Sequence, residues 1–197
     1  SKFINNTAWN DGAIDCYFTE DAHMYNSTFE NNVANATGGA LYMTGLHGVI
    51  QDCNFTANKA TNGSAIMYYP DAVIAIGQTR ANITRCNFED NEASGYSTLW
   101  LQSSHSIVKL CNFTNNKAKH AGGIYVAIDG VTITKSSFTG NNATGGNGGA
   151  IYSTPITDGV SNTDCTISEC NFTSNYAAAN GGALCTDSEN VTVDASS

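Results

Sequence analysis

Cys53-Asn54-Phe55-Thr56-Ala57-Asn58 is one copy of a pattern that runs the length of the chain. Its framework, Phe-x-x-Asn, occurs seven times, opened by Phe3, Phe29, Phe55, Phe88, Phe113, Phe138 and Phe172. The closing residues are Asn6, Asn32, Asn58, Asn91, Asn116, Asn141 and Asn175. Successive phenylalanines lie 26, 26, 33, 25, 25 and 34 residues apart, a base period near 25 with two insertions of about eight. Self-similarity at such a period marks a solenoid. Other columns keep step. Five residues before the phenylalanine stand Met24, Ile50, Ile83, Val108, Ile133 and Ile167, always apolar. Two before it the column reads Ser1, Ser27, Cys53, Cys86, Cys111, Ser136 and Cys170, always small. About ten residues after it comes a glycine corner: Gly38-Gly39-Ala40-Leu41, Gly148-Gly149-Ala150-Ile151 and Gly181-Gly182-Ala183-Leu184. Gly12-Ala13-Ile14, Gly63-Ser64-Ala65-Ile66 and Gly122-Gly123-Ile124 are weaker copies, and Tyr96-Ser97-Thr98-Leu99 has lost its glycines.

Three short strands joined by tight turns use up about 25 residues. No copy shows helical periodicity, whereas Val131-Thr132-Ile133-Thr134 alternates as a half-buried strand does. The chain is therefore expected to be all-β, one parallel β-helix domain over residues 1–197 with about seven coils. Stacked coils set equivalent residues about 4.8 Å apart, so phenylalanine should stack on phenylalanine inside the tube. The asparagine column is expected at a turn, bonding to the coils above and below and taking left-handed backbone. The two insertions should bulge outward around residues 69–79 and 155–162, where Pro70 and Pro155 both fall.

The pairing of Gly-Gly-Ala-Ile/Leu with Phe-x-x-Asn resembles the repeats of the polymorphic outer membrane protein family, first defined in chlamydial surface proteins. The resemblance covers nearly the whole chain. It implies a right-handed parallel β-helix, or β-solenoid, exposed at a cell surface and often adhesive. The missing glycines at Tyr96-Ser97 and the missing alanine before Ile124 depart from the pattern. So does the lack of the membrane barrel that anchors the bacterial proteins.

Formal charge is −9, from 8 Lys+Arg against 17 Asp+Glu, which makes nucleic acid and anionic membrane poor partners. No run of apolar residues is long enough for a membrane-spanning helix. Ten Asn-x-Ser/Thr sequons are present, at Asn5, Asn26, Asn35, Asn54, Asn62, Asn82, Asn112, Asn142, Asn171 and Asn190. Composition alone would give roughly five. Asn54, Asn112 and Asn171 precede an inward phenylalanine, so alternation turns them outward. These features predict covalent N-glycans and a secreted, extracellular or cell-surface protein that passed through a eukaryotic-type pathway.

Seven cysteines leave one unpaired at least. Cys53, Cys86, Cys111 and Cys170 read as small core fillers, while Cys165 and Cys170 are close enough in sequence for a disulfide across a corner. With Val193 in the aliphatic column, Ser196 falls in the small column, so the sequence ends near the phase at which it begins. Two expectations follow: a segment of a longer β-helix, with further coils of the same chain on either side, or a unit stacked end to end on copies of itself. Cys16 and Cys185 each follow their phenylalanine by 13 residues and are candidates for a bridge between stacked copies, although counted from the glycine corner they differ by one position.

A polysaccharide lyase or hydrolase on this fold would need clustered carboxylates from neighbouring coils. Of Asp52, Glu89, Asp90, Glu92, Asp129, Asp164 and Glu169, only Asp52 and Glu169 share a phase, four coils apart. His47, between Gly45-Leu46 and Gly48, has the wrong spacing for a catalytic turn histidine, and no cofactor or metal motif is evident. Tyr42, Tyr68, Tyr125 and Tyr152 follow the glycine corner; the first reading is that they close one edge of the core, and the second is an outward aromatic stripe able to stack on sugars. The expected role is a non-catalytic structural glycoprotein of a surface filament or stalk. The alternative is a surface adhesin or glycan-binding repeat, and an enzyme comes last.

Overall fold

The computed structural model describes residues 1–69, 79–154, 164–188 and 190–195. Pro70, Pro155, most of the two insertions and Ser196 lie outside the described residues. Every described regular element is a strand, and every strand pairing is parallel. Three sheets run along one axis. The phenylalanine strands, from Lys2–Ile4 through Asn54–Thr56 to Asn171–Thr173, form a seven-stranded sheet. The two-residue strands that follow them, from Thr7–Ala8 to Tyr176–Ala177, form another of seven. The third sheet forks. Its long strand Leu41–Gln51 continues into two arms, one carrying Ile66–Tyr68, Leu99–Leu101, Ile124–Val126, Ile151–Ser153 and Leu184–Thr186, the other running from Arg80–Thr84 to Asn190–Asp194.

The inward columns make the core. All seven phenylalanine rings stack, with neighbouring centroids between 4.5 and 5.1 Å apart and planes within 10°. The aliphatic column is in register from Met24 through Ile50, Ile83, Val108, Ile133 and Ile167 to Val193. Burying a side chain of this size stabilises by about 1.5–3 kcal/mol, and each inner coil repeats the contribution on both sides of the tube, while Phe3, Phe172 and Val193 in the end coils remain partly exposed.

The asparagine column also points inward. Asn32, Asn58, Asn91, Asn116 and Asn141 are fully buried. Each Nδ2 donates to the phenylalanine carbonyl of the preceding coil and to the asparagine Oδ1 of the following coil; for Asn91 these are Phe55 O at 2.9 Å and Asn116 Oδ1 at 3.0 Å. Its own Oδ1 accepts the backbone N–H of Asn58 at 2.9 Å and its Nδ2 at 3.0 Å. This satisfies all the hydrogen-bonding groups of a buried amide.

The left-handed backbone expected at these asparagines lies one residue earlier, at Asn5, Asn31, Ala57, Asp90, Asn115, Gly140 and Ser174. A second left-handed column, three residues before the phenylalanine, holds Asn26, Asp52, Arg85, Leu110, Lys135 and Glu169. These two turns bound each phenylalanine strand and keep it three residues long. The ladder asparagine then enters a strand, so its amide bonds between coils with ordinary backbone.

At the glycine corner, Gly38, Gly63, Gly148 and Gly181 have positive φ, and a Cβ on Gly39 would sit 2.1 Å from Ser64 O of the next coil. Where the pattern fails, the corner adapts. Ala121 takes the left-handed position at φ 51°, and in the fourth copy the positive φ moves on to Ser97.

Candidate functional site

What the core does not absorb lies on the outward columns. Eight sequon asparagines are exposed, while Asn62 and Asn142 are half-buried. Asn54, Asn112 and Asn171 stand on the outer face of the phenylalanine sheet in alternate coils, about 9.6 Å or two strand spacings apart. Between the first two lies Asn87, whose Nδ2 donates to Asn54 Oδ1 at 2.8 Å and whose Oδ1 accepts from Asn112 Nδ2 at 2.8 Å. Glu89 follows it where a sequon needs Ser or Thr. No two of the ten sequons share a column in adjacent coils. Strand parity does the sorting. Each ladder asparagine is followed two residues later by an alanine, from Ala8 to Ala177, because that position shares its inward face.

Of the acids considered for catalysis, Asp52, Glu92 and Glu169 stand in separate ion pairs and Asp129 in a cap. Asp52 takes Arg85 in a two-pronged pair, 2.7 and 2.8 Å, that holds its carboxyl below the usual range. Glu169 meets Lys135 at 3.5 Å, Asp129 Oδ1 caps the N–H of Asp164 at 3.0 Å, and His47 lies 3.5 Å from Asp21. Among the described residues, no three His, Cys, Asp or Glu side chains converge as metal ligands.

Glu92 sits between Lys59 at 3.1 Å and Lys117 at 3.7 Å, and these lysines lower its pKa from 4.5. A carboxylate with a lowered folded pKa adds stability above its unfolded value and loses it as pH falls through the folded one. The group is exposed, so the effect is small. Glu92→Gln is expected to lower Tm at neutral pH by about 1–2 °C, from about 0.5 kcal/mol. Thermal unfolding should show that gap close below about pH 4.

All seven cysteines are free thiols. Cys53, Cys86, Cys111 and Cys170 are buried, each thiol 3.3–3.4 Å from the carbonyl two residues earlier. A hydrogen bond with the Cys111 thiol, with burial behind it, pushes Cys86 up to about 12. Cys165 belongs to the strand Asp164–Ser168, and burial pushes its thiol up to about 12. Cys170 follows a left-handed turn at Glu169 and occupies the small column instead. The Cys16–Cys185 alignment fails by one residue: Cys16 is in register with Met43 and packs on the core, whereas Cys185 is in register with Tyr152 on the outward column. One residue of offset puts two strand side chains on opposite faces, which is poor geometry for a bridge between stacked copies.

The aromatic stripe differs from its expected membership. Tyr68 is buried, because in Ile66-Met67-Tyr68 the outward position falls to Met67. Its ring fills the space beside Gly48, where a Cβ would lie 2.5 Å from Cε2, and its hydroxyl reaches Gly45 O at 3.4 Å. The outward column reads Asp15, Tyr42, Met67, Trp100, Tyr125, Tyr152 and Cys185. Ring centroids are 5.3 Å apart for Trp100–Tyr125 and 5.6 Å for Tyr125–Tyr152. Tyr96 and His120, stacked at 5.0 Å, wall one side, and Tyr152 donates to Asp187 Oδ2 at 2.5 Å. The stripe ends at an open groove of about 330 Å³ flanked by Tyr17, Tyr42 and Tyr69, with Asp11 and Asp15 on its wall. The sequence reading missed Tyr96 and Trp100 in this strip because the glycine marker is absent from their coil; His120, in the next coil, joins it only by stacking on Tyr96.

A family described as right handed beta helix region matches residues 1–155 and, in an overlapping match, 71–197. Neither the curated proteins nor the solved structures contain a match.

Proposed function

We propose that this chain, which belongs to the right-handed β-helix family, is a non-catalytic glycoprotein of an extracellular fibre or stalk, built from repeats of the polymorphic outer membrane protein type. The observation that carries this reading is the division of the asparagines. Those of the inner ladder are never sequons, and the ten sequon asparagines all stand outside the core, eight of them exposed. Sites spaced so that none stacks directly on another leave room for a glycan at each. A dense coat of this kind would guard lateral faces against proteases and sideways aggregation. Asp52, Glu92 and Glu169, held separately in surface ion pairs, favour structure over catalysis.

The stiff axis comes from continuous ladders, and its open strand edges can be met by further coils of the same chain or by a second copy stacked end to end. Two measurements test the reading. Peptide mass spectrometry after enzymatic deglycosylation is expected to find several sequons occupied, with Asn54, Asn112 and Asn171 among them; all ten empty in native material would sink it. Electron microscopy of that material should show threads, and a repeat near 34 Å, about seven strand spacings, would identify stacked copies. Survival of such threads in reductant is expected, given the offset of Cys16 and Cys185. A surface adhesin is the second reading, and the aromatic column favours it.

A further inference from the structure

We infer that the outward aromatic column is a binding face for a neutral, extended β-linked polysaccharide lying along the solenoid axis. Trp100, Tyr125 and Tyr152 stand one per coil on Leu99–Leu101, Ile124–Val126 and Ile151–Ser153, all partly exposed. The rings are steeply tilted to one another, 77° for Trp100–Tyr125 and 57° for Tyr125–Tyr152, so they line a ridged strip of ring faces and edges at about one strand spacing, close to the advance per sugar of an extended β-linked chain. The C–H faces of such sugars are apolar and suit aromatic rings, while their hydroxyls suit the polar margin.

Three observations select this occupant. The first is glycan placement: no sequon falls within three residues of these three strands. Asn62, on the turn of the coil before Tyr96, is half-buried, its Oδ1 accepting the Tyr96 N–H at 3.0 Å. The column is thus a lateral strip left bare by the coat. The second is charge. From Asp15 to Cys185 the column contains no Lys or Arg, and Asp15 and Asp187 mark its two ends. The carboxylates at the ends disfavour an acidic polymer and Lys119, beside His120 on the wall, disfavours a cationic one, so a neutral chain fits best. The third is unmet hydrogen bonding. The indole N–H of Trp100 and Nδ1 of His120 are shielded from water and have no partner among the described residues. A bound sugar hydroxyl would supply a partner to either group once the side chain turned to expose it.

The inference rests on the adhesive reading and can fail apart from the structural one. The test uses the full glycosylated chain carrying Trp9→Phe, which leaves Trp100 as the single tryptophan. Titration with cellohexaose and chitohexaose is expected to change Trp100 emission saturably for at least one of them, with no response to polygalacturonate. Tyr125→Ala with Tyr152→Ala should weaken that binding at least tenfold, whereas Tyr125→Phe with Tyr152→Phe should retain it. Tyr25→Ala, an exposed tyrosine on another face, should leave it unchanged. No saturable response to either hexasaccharide in the folded Trp9→Phe chain overturns the inference, whatever the variants do. So does equal binding of polygalacturonate, or self-association through the strip that hexasaccharide leaves intact. Occupied sequons without saccharide binding sink this inference alone; saccharide binding with empty sequons keeps the strip and sinks the glycoprotein reading.

Discussion

Asn91→Ala is expected to destabilise the solenoid by about 4–6 kcal/mol, from three or more orphaned groups at about 1–3 kcal/mol each. The truncation leaves Asn58 N–H and Asn58 Nδ2 without their acceptor and Phe55 O without its donor, all in a fully buried setting. Water cannot replace the amide unless the coil opens. Asn91→Asp separates the two halves of the effect. It keeps an acceptor but cannot donate, and burial is expected to raise its pKa. A raised carboxyl pKa makes the penalty greatest at neutral pH and lets stability recover as the pH falls toward the folded value. Urea unfolding followed by circular dichroism measures both variants. A loss under about 1 kcal/mol for Asn91→Ala, below the cost of one orphaned group, would show that the ladder does not hold the coils together.

Gly39→Ala is expected to cost about 3–5 kcal/mol, at the upper end of overpacking effects. The added Cβ would sit 2.1 Å from Ser64 O and 2.7 Å from Lys59 O, both backbone atoms of the next coil. No flexible side chain is available to yield, so the coils must part. Gly145→Ala is the matched control. Its Cβ would meet only the Lys119 side chain, at 3.2 Å, and a change within about 0.5 kcal/mol is expected. Equal effects from the two substitutions would mean that lost glycine flexibility, rather than coil-to-coil contact, sets the cost.

Much of this architecture is legible in the sequence because a solenoid repeats its evidence. The phenylalanine stack, the aliphatic column through Val193 and the outward Asn54, Asn112 and Asn171 all follow from period and alternation. What resisted reading turns on single-residue offsets. Left-handed backbone was expected at Asn32 and its equivalents but lies at Asn31 and its equivalents, because only the latter sit at the turn. Tyr68 lies inside, as the core-edge reading of the tyrosines requires and the outward-stripe reading does not, and Cys16 and Cys185, matched by distance from phenylalanine, differ by one in register, as counting from the glycine corner indicates. Parity along a strand has to be counted from a fixed marker. Once the glycine corner varies from coil to coil, the marker is lost and a residue can change face without altering the pattern of residue types.

The amide ladder has a direction. Every Nδ2 from Asn6 to Asn141 donates toward the coil that follows it in the chain, and none of these amide-to-amide bonds runs the other way. Aligned amides reinforce one another's dipoles, so the column behaves as a polar wire with an oxygen end at Asn6 and an N–H end at Asn175. Two like ends would oppose oxygen to oxygen or hydrogen to hydrogen, whereas unlike ends complete the row. Growth along the axis, by duplication within a gene or by docking of separate molecules, is therefore vectorial, and any thread built this way has a distinguishable front and back.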